Sequence, residues 1–183
     1  HRQYCGNHAE INAIANARED VAGATLYVNL EPCCHEGKTP PCAMSITQHK
    51  IARVVIGTID SNPLVSCRGV NILLESGIEV KTGVLQGNCR KLNEVFFYYM
   101  ETGMPFITVK YAQTLDGRIA TAAGHSKWIS SNNSLKFAHK LRAQHDAVLV
   151  GIKTVINDDP ELTVRLVRGR NPLRIIVDSG LKI

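Results

Sequence analysis

One histidine and two cysteines constrain this chain more than any other feature. They are His8, Cys33 and Cys42, with Glu10 two residues after the histidine and a proline directly before each cysteine. Three protein ligands with a fourth position open to water are typical of a catalytic zinc, whereas structural zinc sites usually close with four ligands. The sequence therefore predicts a zinc site on this histidine and these two cysteines.

Glu10 is the predicted proton shuttle of that site. Zinc nucleobase deaminases carry H-x-E followed by P-C-x-x-C, and their glutamate moves protons without binding the metal. Hydrolytic deamination needs a hydroxide near neutral pH, which zinc provides by lowering the pKa of its bound water to about 7. Here Cys42 follows Cys33 by nine residues. The two cysteines therefore flank a loop instead of sharing one helical turn, and this loop can form a wall of the substrate site.

Each part of the pattern is weak by itself. An H-x-E triplet is often a surface or capping feature, and paired cysteines are often buried for packing. Cys34 competes with Cys33 as the ligand, although the position directly after proline favours Cys33. A structural zinc would instead recruit a fourth ligand, such as Cys34 or His35.

The composition excludes two broad classes of protein. Of the 183 residues, 44% are hydrophobic and 20% charged, which indicates a folded globular protein and not a disordered one. No apolar run approaches the roughly 20 residues that span a bilayer, so we expect no membrane partner. The net charge of +5 permits a nucleic acid or a phosphorylated metabolite. Because the lysines and arginines are scattered, we predict a solvated surface and no nucleic-acid partner.

The six cysteines indicate a reducing compartment. In a chain of this size with no leader, metal ligation or buried thiols are favoured over disulfides, so we predict a cytoplasmic protein. His1 stands close before the first ligand, and the chain stops just after an apolar run at 174–178. We therefore expect an internal piece of a longer protein.

Strand and helix patterns alternate along the chain, which predicts an α/β fold with largely parallel strands. The predicted helices are 9–22, a short one from Cys42, 69–76, 88–101 and 131–144, and the predicted strands are 25–29, 53–59, 79–82, 106–112 and 147–151. The helix at 88–101 is expected to present Leu92, Val95, Phe96 and Tyr99 on one face. The best boundary falls at 102–105, which divides the chain into domains 1–103 and 104–183.

Three segments of the first half carry a resemblance to a known family. HAE, EPCCHEGKTPPC and DSNPLVSCRGV resemble the deaminase half of the bifunctional riboflavin-biosynthesis deaminase–reductase. The long cysteine loop separates that family from cytidine, tRNA-adenosine and guanine deaminases, and Cys34 stands where the family often has serine. The resemblance implies a cytidine-deaminase-like three-layer α/β/α domain. It also implies zinc on His8, Cys33 and Cys42.

The same resemblance implies a substrate and its contacts. The substrate would be 2,5-diamino-6-ribosylamino-4(3H)-pyrimidinone 5′-phosphate, whose 2-amino group is hydrolysed, with Glu10 as the proton donor and Lys38 as a substrate contact. Within enzymes, the alternative is another zinc deaminase acting on free bases, nucleosides or tRNA. From another class, the alternative is a nucleic-acid-binding module with a structural zinc.

The second half is less informative without the family. Residues 150–154 read as a strand, a glycine and a helix start, which suits a phosphate on backbone N–H groups but is not G-x-G-x-x-G. Arg142 and Arg165 could bind a phosphate with two hydrogen bonds each, or simply be exposed.

Four segments of the second half resemble the amino-terminal part of the same family's reductase domain: VKYAQTLDGRIA, GHSKWIS, LRAQHDAVLVGIKTVINDDPELTVR and PLRIIVDS. The resemblance implies the start of a dihydrofolate-reductase-like fold, and reduction of the ribosyl chain by NADPH to 5-amino-6-(5-phosphoribitylamino)uracil. The implied dinucleotide contacts are Ala112, Trp128, Thr154, Asp158 and Ser179. The implied substrate contacts are Ser126, Arg142, Leu162 and Arg165. The expected partner is a small phosphoribosyl-pyrimidine, with a homo-oligomer as an option.

Overall fold

A computed structural model describes residues 6–35, 40–126 and 129–182 and divides the chain into two compact units, His1–Ile107 and Thr108–Ile183. The boundary predicted after residue 103 falls shortly before this division. The elements of the first unit, in chain order, are α1 (Ala9–Ala15), β1 (Thr25–Leu30), α2 (Cys42–Gln48), β2 (Arg53–Thr58), α3 (Arg68–Glu75), β3 (Glu79–Lys81), α4 (Gln86–Leu92) and α5 (Glu94–Thr102). This alternation agrees with the predicted α/β class.

The first unit is built on a parallel sheet of order β1-β2-β3. Since side chains alternate across a strand, Val54 and Ile56 point to one face of β2, and both are fully buried there. Ile46 of α2 and Leu73 of α3 join them in one hydrophobic core. These two helices therefore cover one face of the sheet.

Helix α4 covers the opposite face. Gly57 points away from the Ile56 side, and a Cβ built on it would lie 2.2 Å from the Sγ of Cys89 in α4 and 2.8 Å from the carbonyl oxygen of Asn29. Only a residue without a side chain allows the helix to approach this closely. The first unit thus has helices on both faces of its sheet, as the predicted three-layer arrangement requires.

Replacing Gly57 with alanine is therefore expected to destabilise the protein by about 1–3 kcal/mol, the usual cost of forcing atoms into a packed site. Urea unfolding followed by circular dichroism would measure it. Gly87→Ala is the matched control, because its Cβ would meet nothing within 4 Å, and alanine should gain up to about 1 kcal/mol inside a helix. Equal stabilities for the two variants would contradict the close approach of α4.

Two predicted helices are shorter than their sequence patterns indicate, and an asparagine stands directly after the end of each shortened helix. The helix expected over 9–22 ends at Ala15, where the Nδ2 of Asn16 donates to the carbonyl oxygen of Asn12 at 2.7 Å. The helix expected over 88–101 is divided at Asn93, whose Nδ2 donates to the carbonyl oxygen of Cys89 at 3.0 Å. In both places the backbone N–H and the side-chain amide of the asparagine donate to the same helical carbonyl oxygen.

The predicted apolar face of that second helix is wrong. Phe97 is the residue that α5 buries, at 3% exposure, whereas Leu92, Val95 and Tyr99 are exposed. The break at Asn93 changes the helical phase, so the continuous periodicity read from the sequence does not apply across it.

The second unit contains α6 (Asn132–Gln144), β4 (Ala147–Gly151), α7 (Ile152–Asp158) and β5 (Leu173–Val177). The two strands pair in parallel, with Gly151 opposite Val177. Ser131 caps α6 as predicted, since its Oγ accepts the N–H of Ser134 at 3.2 Å. Every helix in the described ranges is too short or too polar to cross a bilayer.

The strand predicted at 106–112 does not form. Ile107, Val109 and Tyr111 keep the alternating pattern of a strand, yet each is at least 66% exposed. A strand needs a neighbour to satisfy its backbone, and β4 and β5 pair with each other rather than with this segment. The pattern is therefore present without the pairing partner that would complete it.

Candidate active site

The three predicted zinc ligands meet at the carboxyl end of β1. The Nδ1 of His8 lies 3.5 Å from the Sγ of Cys33 and 3.2 Å from the Sγ of Cys42. All three ligand atoms lie within 4.8 Å of one another. Tetrahedral zinc with ordinary Zn–S and Zn–N bonds would place sulfur and nitrogen about 3.6 Å apart. The donor set therefore fits a zinc ion in both chemistry and spacing.

Each ligand is placed by the start or end of an element. His8 directly precedes α1, Cys33 follows the end of β1, and Cys42 is the first residue of α2. The N–H of Cys42 donates to the Sγ of Cys33 at 3.3 Å, and the N–H of Ala43 donates to the carbonyl oxygen of Cys33 at 3.1 Å. Free N–H groups in a first helical turn stabilise a thiolate, so α2 prepares Cys33 for a metal.

The hydrogen bond between the two cysteine ligands shifts their pKa values in opposite directions. The side-chain hydrogen bond from Cys42 lowers the pKa of Cys33 to about 6, although burial opposes that shift. The same hydrogen bond, helped by burial and by the negative charge of Glu10, raises the pKa of Cys42. Cys33 is therefore the thiolate and Cys42 the proton donor of the pair. Zinc binding would release that second proton, since both sulfurs must ionise to ligate a metal.

The vicinal cysteine points elsewhere. The Sγ of Cys34 lies 3.5 Å from the carbonyl oxygen of Leu64 and donates to it. Neither Cys34 nor His35 belongs to the group of metal-binding side chains found within the described ranges, which has three members. A three-ligand site with an open position is the arrangement that catalysis needs.

Glu10 lies between the ligands and a cavity. It sits half-buried in the first turn of α1, and its hydrogen bond and charge help raise the pKa of Cys42, which places the carboxylate beside that thiol. It also lines a cavity of about 310 Å³ between α1 and β1. The other lining residues are Ala9, Ala13, Leu26, Tyr27, Val28 and Asn29. A carboxylate that faces both a metal site and an open cavity can exchange protons with a group held there.

Sequence reasoning missed Glu31. It directly follows β1 and is 3% exposed, and its carboxylate accepts three backbone N–H groups. The available signal was its position directly after a strand of the sheet, because a carboxylate that becomes buried there must find hydrogen-bond donors.

The second unit has a cavity of about 820 Å³ that brings together three of the predicted contacts, Ala112, Ser126 and Asp158. The rest of its lining consists of Lys110, Ile119, Gly124, His125, Ile129, Ser130, Leu135 and Asn157. Lys38 and Trp128, which were also predicted as contacts, lie outside the described residues.

Two further predicted dinucleotide contacts lie at the carboxyl edge of the parallel strand pair. Thr154 is in the first turn of α7, directly after β4, and Ser179 follows β5 by two residues. Since Gly151 and Val177 are opposite each other, both side chains belong to the same edge. Open parallel sheets bind ligands at this edge.

The remaining predicted substrate contacts converge on one segment. Arg142 donates from Nη1 to the carbonyl oxygen of Thr163 at 2.6 Å, and Arg165 donates from Nη1 to the Oγ1 of Thr163 at 3.1 Å. Leu162 lies between them in sequence, with a left-handed φ of 55°. Burial, and then the nearby charge of Arg165, lower the pKa of Arg142. The Nη1 of Arg165 also lies 2.8 Å from the Oε2 of Glu161, so this guanidinium group is paired with a carboxylate.

His139 was also missed by sequence reasoning. It is 7% exposed, and its Nδ1 accepts the backbone N–H of Arg165 at 3.0 Å. Burial, followed by the charges of Arg142 and Arg165, lowers the pKa of this imidazole. The neutral ring therefore holds the arginine segment in place.

Two family models match different parts of the chain. Residues 2–58 match the family described as the cytidine and deoxycytidylate deaminase zinc-binding region, and residues 105–183 match the RibD C-terminal domain. The riboflavin biosynthesis protein RibD of Aquifex aeolicus is 54% identical over 177 residues, covering 96% of this chain and 50% of that protein. The RibD of Bacillus amyloliquefaciens is 47% identical over 184 residues. This alignment covers 100% of this chain and 50% of that protein.

Solved structures give the same result. The diaminohydroxyphosphoribosylaminopyrimidine deaminase/5-amino-6-(5-phosphoribosylamino)uracil reductase of Thermotoga maritima superposes with a TM-score of 0.89 at 50% identity, covering 96% of this chain and 51% of that one. Acinetobacter baumannii RibD, form 1, superposes with a TM-score of 0.91 at 42% identity, covering 100% and 53%. These matches confirm the predicted fold class. The chain spans about half the length of the relatives it matches, and over that half it is similar to the RibD riboflavin biosynthesis proteins.

Proposed function

We propose that the first unit deaminates 2,5-diamino-6-ribosylamino-4(3H)-pyrimidinone 5′-phosphate in riboflavin synthesis. The observation that carries this proposal is the convergence of His8, Cys33 and Cys42 with Glu10 beside them. The relatives named above are riboflavin biosynthesis proteins, and one structural neighbour is named as a deaminase of this substrate class.

The residues divide the chemistry between them. His8, Cys33 and Cys42 would hold the zinc ion, which when bound acts as a Lewis acid on water. Glu10 accepts one proton from the attacking water and delivers it to the ring nitrogen, and then moves the second proton of that water to the departing amino group. The bond from ring carbon to the 2-amino nitrogen breaks, a carbonyl forms, and ammonia leaves. Lys38 is proposed as a contact to the substrate.

The second unit is proposed to reduce the ribosyl chain with NADPH, giving 5-amino-6-(5-phosphoribitylamino)uracil. The cavity lined by Ala112, Ser126 and Asp158 has room for part of a dinucleotide. Arg142 and Arg165 offer two guanidinium groups to a sugar phosphate. Thr154, Ser179 and Trp128 complete the proposed dinucleotide contacts, and Leu162 completes those to the substrate.

The long spacing between Cys33 and Cys42, together with the reductase-like second unit, favours this substrate over free bases, nucleosides or tRNA. We further propose domains 1–103 and 104–183, a cytoplasmic location and no nucleic-acid partner, with homo-oligomerisation as an option. The free thiols of Cys33, Cys34, Cys42, Cys67 and Cys89 support a reducing compartment.

The test uses the zinc-loaded full-length protein that contains this chain. We expect one ammonia per pyrimidine consumed, followed by one NADPH oxidised per deaminated product. A chelator should stop ammonia release but spare NADPH oxidation when deaminated product is supplied directly.

Asp158→Ala should impair the reduction step alone. Asp146→Ala is the control and should impair neither step, because Asp146 is not among the cavity-lining residues. Faster release of ammonia from cytidine than from the pyrimidine phosphate would favour the other zinc deaminases instead.

A further inference from the structure

We propose that Glu31 is a positioning residue for the deamination, because it holds residues 60–70, the wall segment, against the residues on both sides of Cys33. This role rests on the proposed deaminase function. The carboxylate itself touches neither substrate nor metal in this proposal. It acts through the backbone that it anchors.

The anchoring consists of three hydrogen bonds to one buried carboxylate. Its Oε2 accepts the N–H groups of Asp60 at 3.2 Å and Cys67 at 3.1 Å, and its Oε1 accepts that of Val70 at 3.2 Å. The three donors are spread over the whole wall segment. Bonds to an ionised acceptor are roughly twice as strong as neutral ones, so a single side chain fixes both ends of the segment.

The wall segment packs directly on the residues around the first cysteine ligand. The Sγ of Cys34 donates to the carbonyl oxygen of Leu64. A Cβ built on Gly69 would lie 2.1 Å from the carbonyl oxygen of Pro32, the residue before Cys33. The segment therefore contacts the backbone and side chains on both sides of Cys33.

The near end of the wall segment presents polar groups at the carboxyl edge of the sheet, where ligands bind. Asp60 follows the end of β2, is 7% exposed, and accepts the N–H of Asn62 at 2.7 Å. The hydroxyl oxygen of Ser61 is buried, and no hydrogen-bond partner for it occurs within the described ranges. A buried hydroxyl of this kind ordinarily has a partner, and a polar group of a bound substrate would provide one. Moving the segment should therefore weaken substrate binding more than it disturbs the metal.

Glu31→Gln in the full-length protein tests this role. The amide has one acceptor oxygen and one NH₂ group, so at least one of the three N–H groups must face another donor. We expect zinc to stay near one per chain and kcat/KM for the pyrimidine phosphate to fall about tenfold, mainly through a higher KM. Hydrogen exchange at the amides of Asp60, Cys67 and Val70 should become at least about tenfold faster.

Two further variants complete the test. Glu75→Gln, at the exposed end of α3, is the control and should change neither KM nor exchange. Gly69→Ala disturbs the wall segment from the Pro32 side while keeping Glu31, and it should raise KM in the same way, which covers the case that Glu31→Gln fails to fold. Unchanged kcat and KM in folded, zinc-loaded variants would overturn the positioning role. No ammonia release from the unaltered protein would overturn the proposed function. Unchanged amide exchange in folded Glu31→Gln would overturn the positioning role of Glu31.

Discussion

Glu10→Gln is expected to lower kcat for ammonia release by about 10²–10⁴-fold, the usual contribution of a positioned acid–base group. The amide keeps the size of the side chain but cannot accept and return a proton. Because Glu10 is outside the three-member ligand group, zinc should stay at about one per chain. Metal analysis and an ammonia assay on the same preparation would measure both quantities.

Glu19→Gln is the matched control, because Glu19 is exposed and lies after the end of α1. This substitution should leave kcat unchanged. Loss of zinc from Glu10→Gln would mean that the carboxylate ligates the metal. That outcome would overturn the proton-shuttle assignment, since a ligand cannot serve as the free base.

Cys33→Ser is expected to remove most of the zinc and with it ammonia release, whereas Cys34→Ser should retain both. The two cysteines are adjacent in sequence, but the Sγ of Cys33 faces His8 and the Sγ of Cys34 faces the carbonyl of Leu64. A hydroxyl can replace the Cys34 thiol as a donor to that carbonyl, but it is a poor zinc ligand compared with a thiolate.

Zinc content by atomic emission, measured on both variants at the same protein concentration, would decide between the two cysteines. Retention of zinc by Cys33→Ser together with loss from Cys34→Ser would reverse the ligand assignment. Partial loss from both would indicate a four-ligand structural site, as expected of a non-catalytic module.

The zinc ligands could be predicted from the sequence because they depend on local rules. His8 and Glu10 lie on one helix start, and each cysteine is placed by its position at the end of a strand or the beginning of a helix. The parallel sheet followed in the same way from the alternation of strands and helices. In the second unit, the Ser131 cap and the strand β4 also depended on short-range signals.

What could not be predicted depends on contacts between distant parts of the chain. Glu31 is bonded to residues 29 to 39 positions away, and His139 to one 26 positions away. No motif marks either pairing. The strand expected at 106–112 failed for the same reason, since alternation describes one strand and carries no information about its neighbour. Hydrophobic periodicity likewise gave no sign of the helix ends at Asn16 and Asn93.

The hydrogen bonds between the two cysteine ligands have a consequence for protein engineering. The N–H groups of Cys42 and Ala43 bind the sulfur and carbonyl of Cys33, so the backbone closes on itself at the two ends of the intervening loop. The cost of closing a loop rises only slowly with its length. We therefore expect that the interior of the loop can be lengthened by a few residues at little cost in loop-closure free energy, while the metal-binding ends stay fixed. Variants altered only in that interior could be screened for activity on new amino-substituted ring substrates, and we expect them to keep zinc binding.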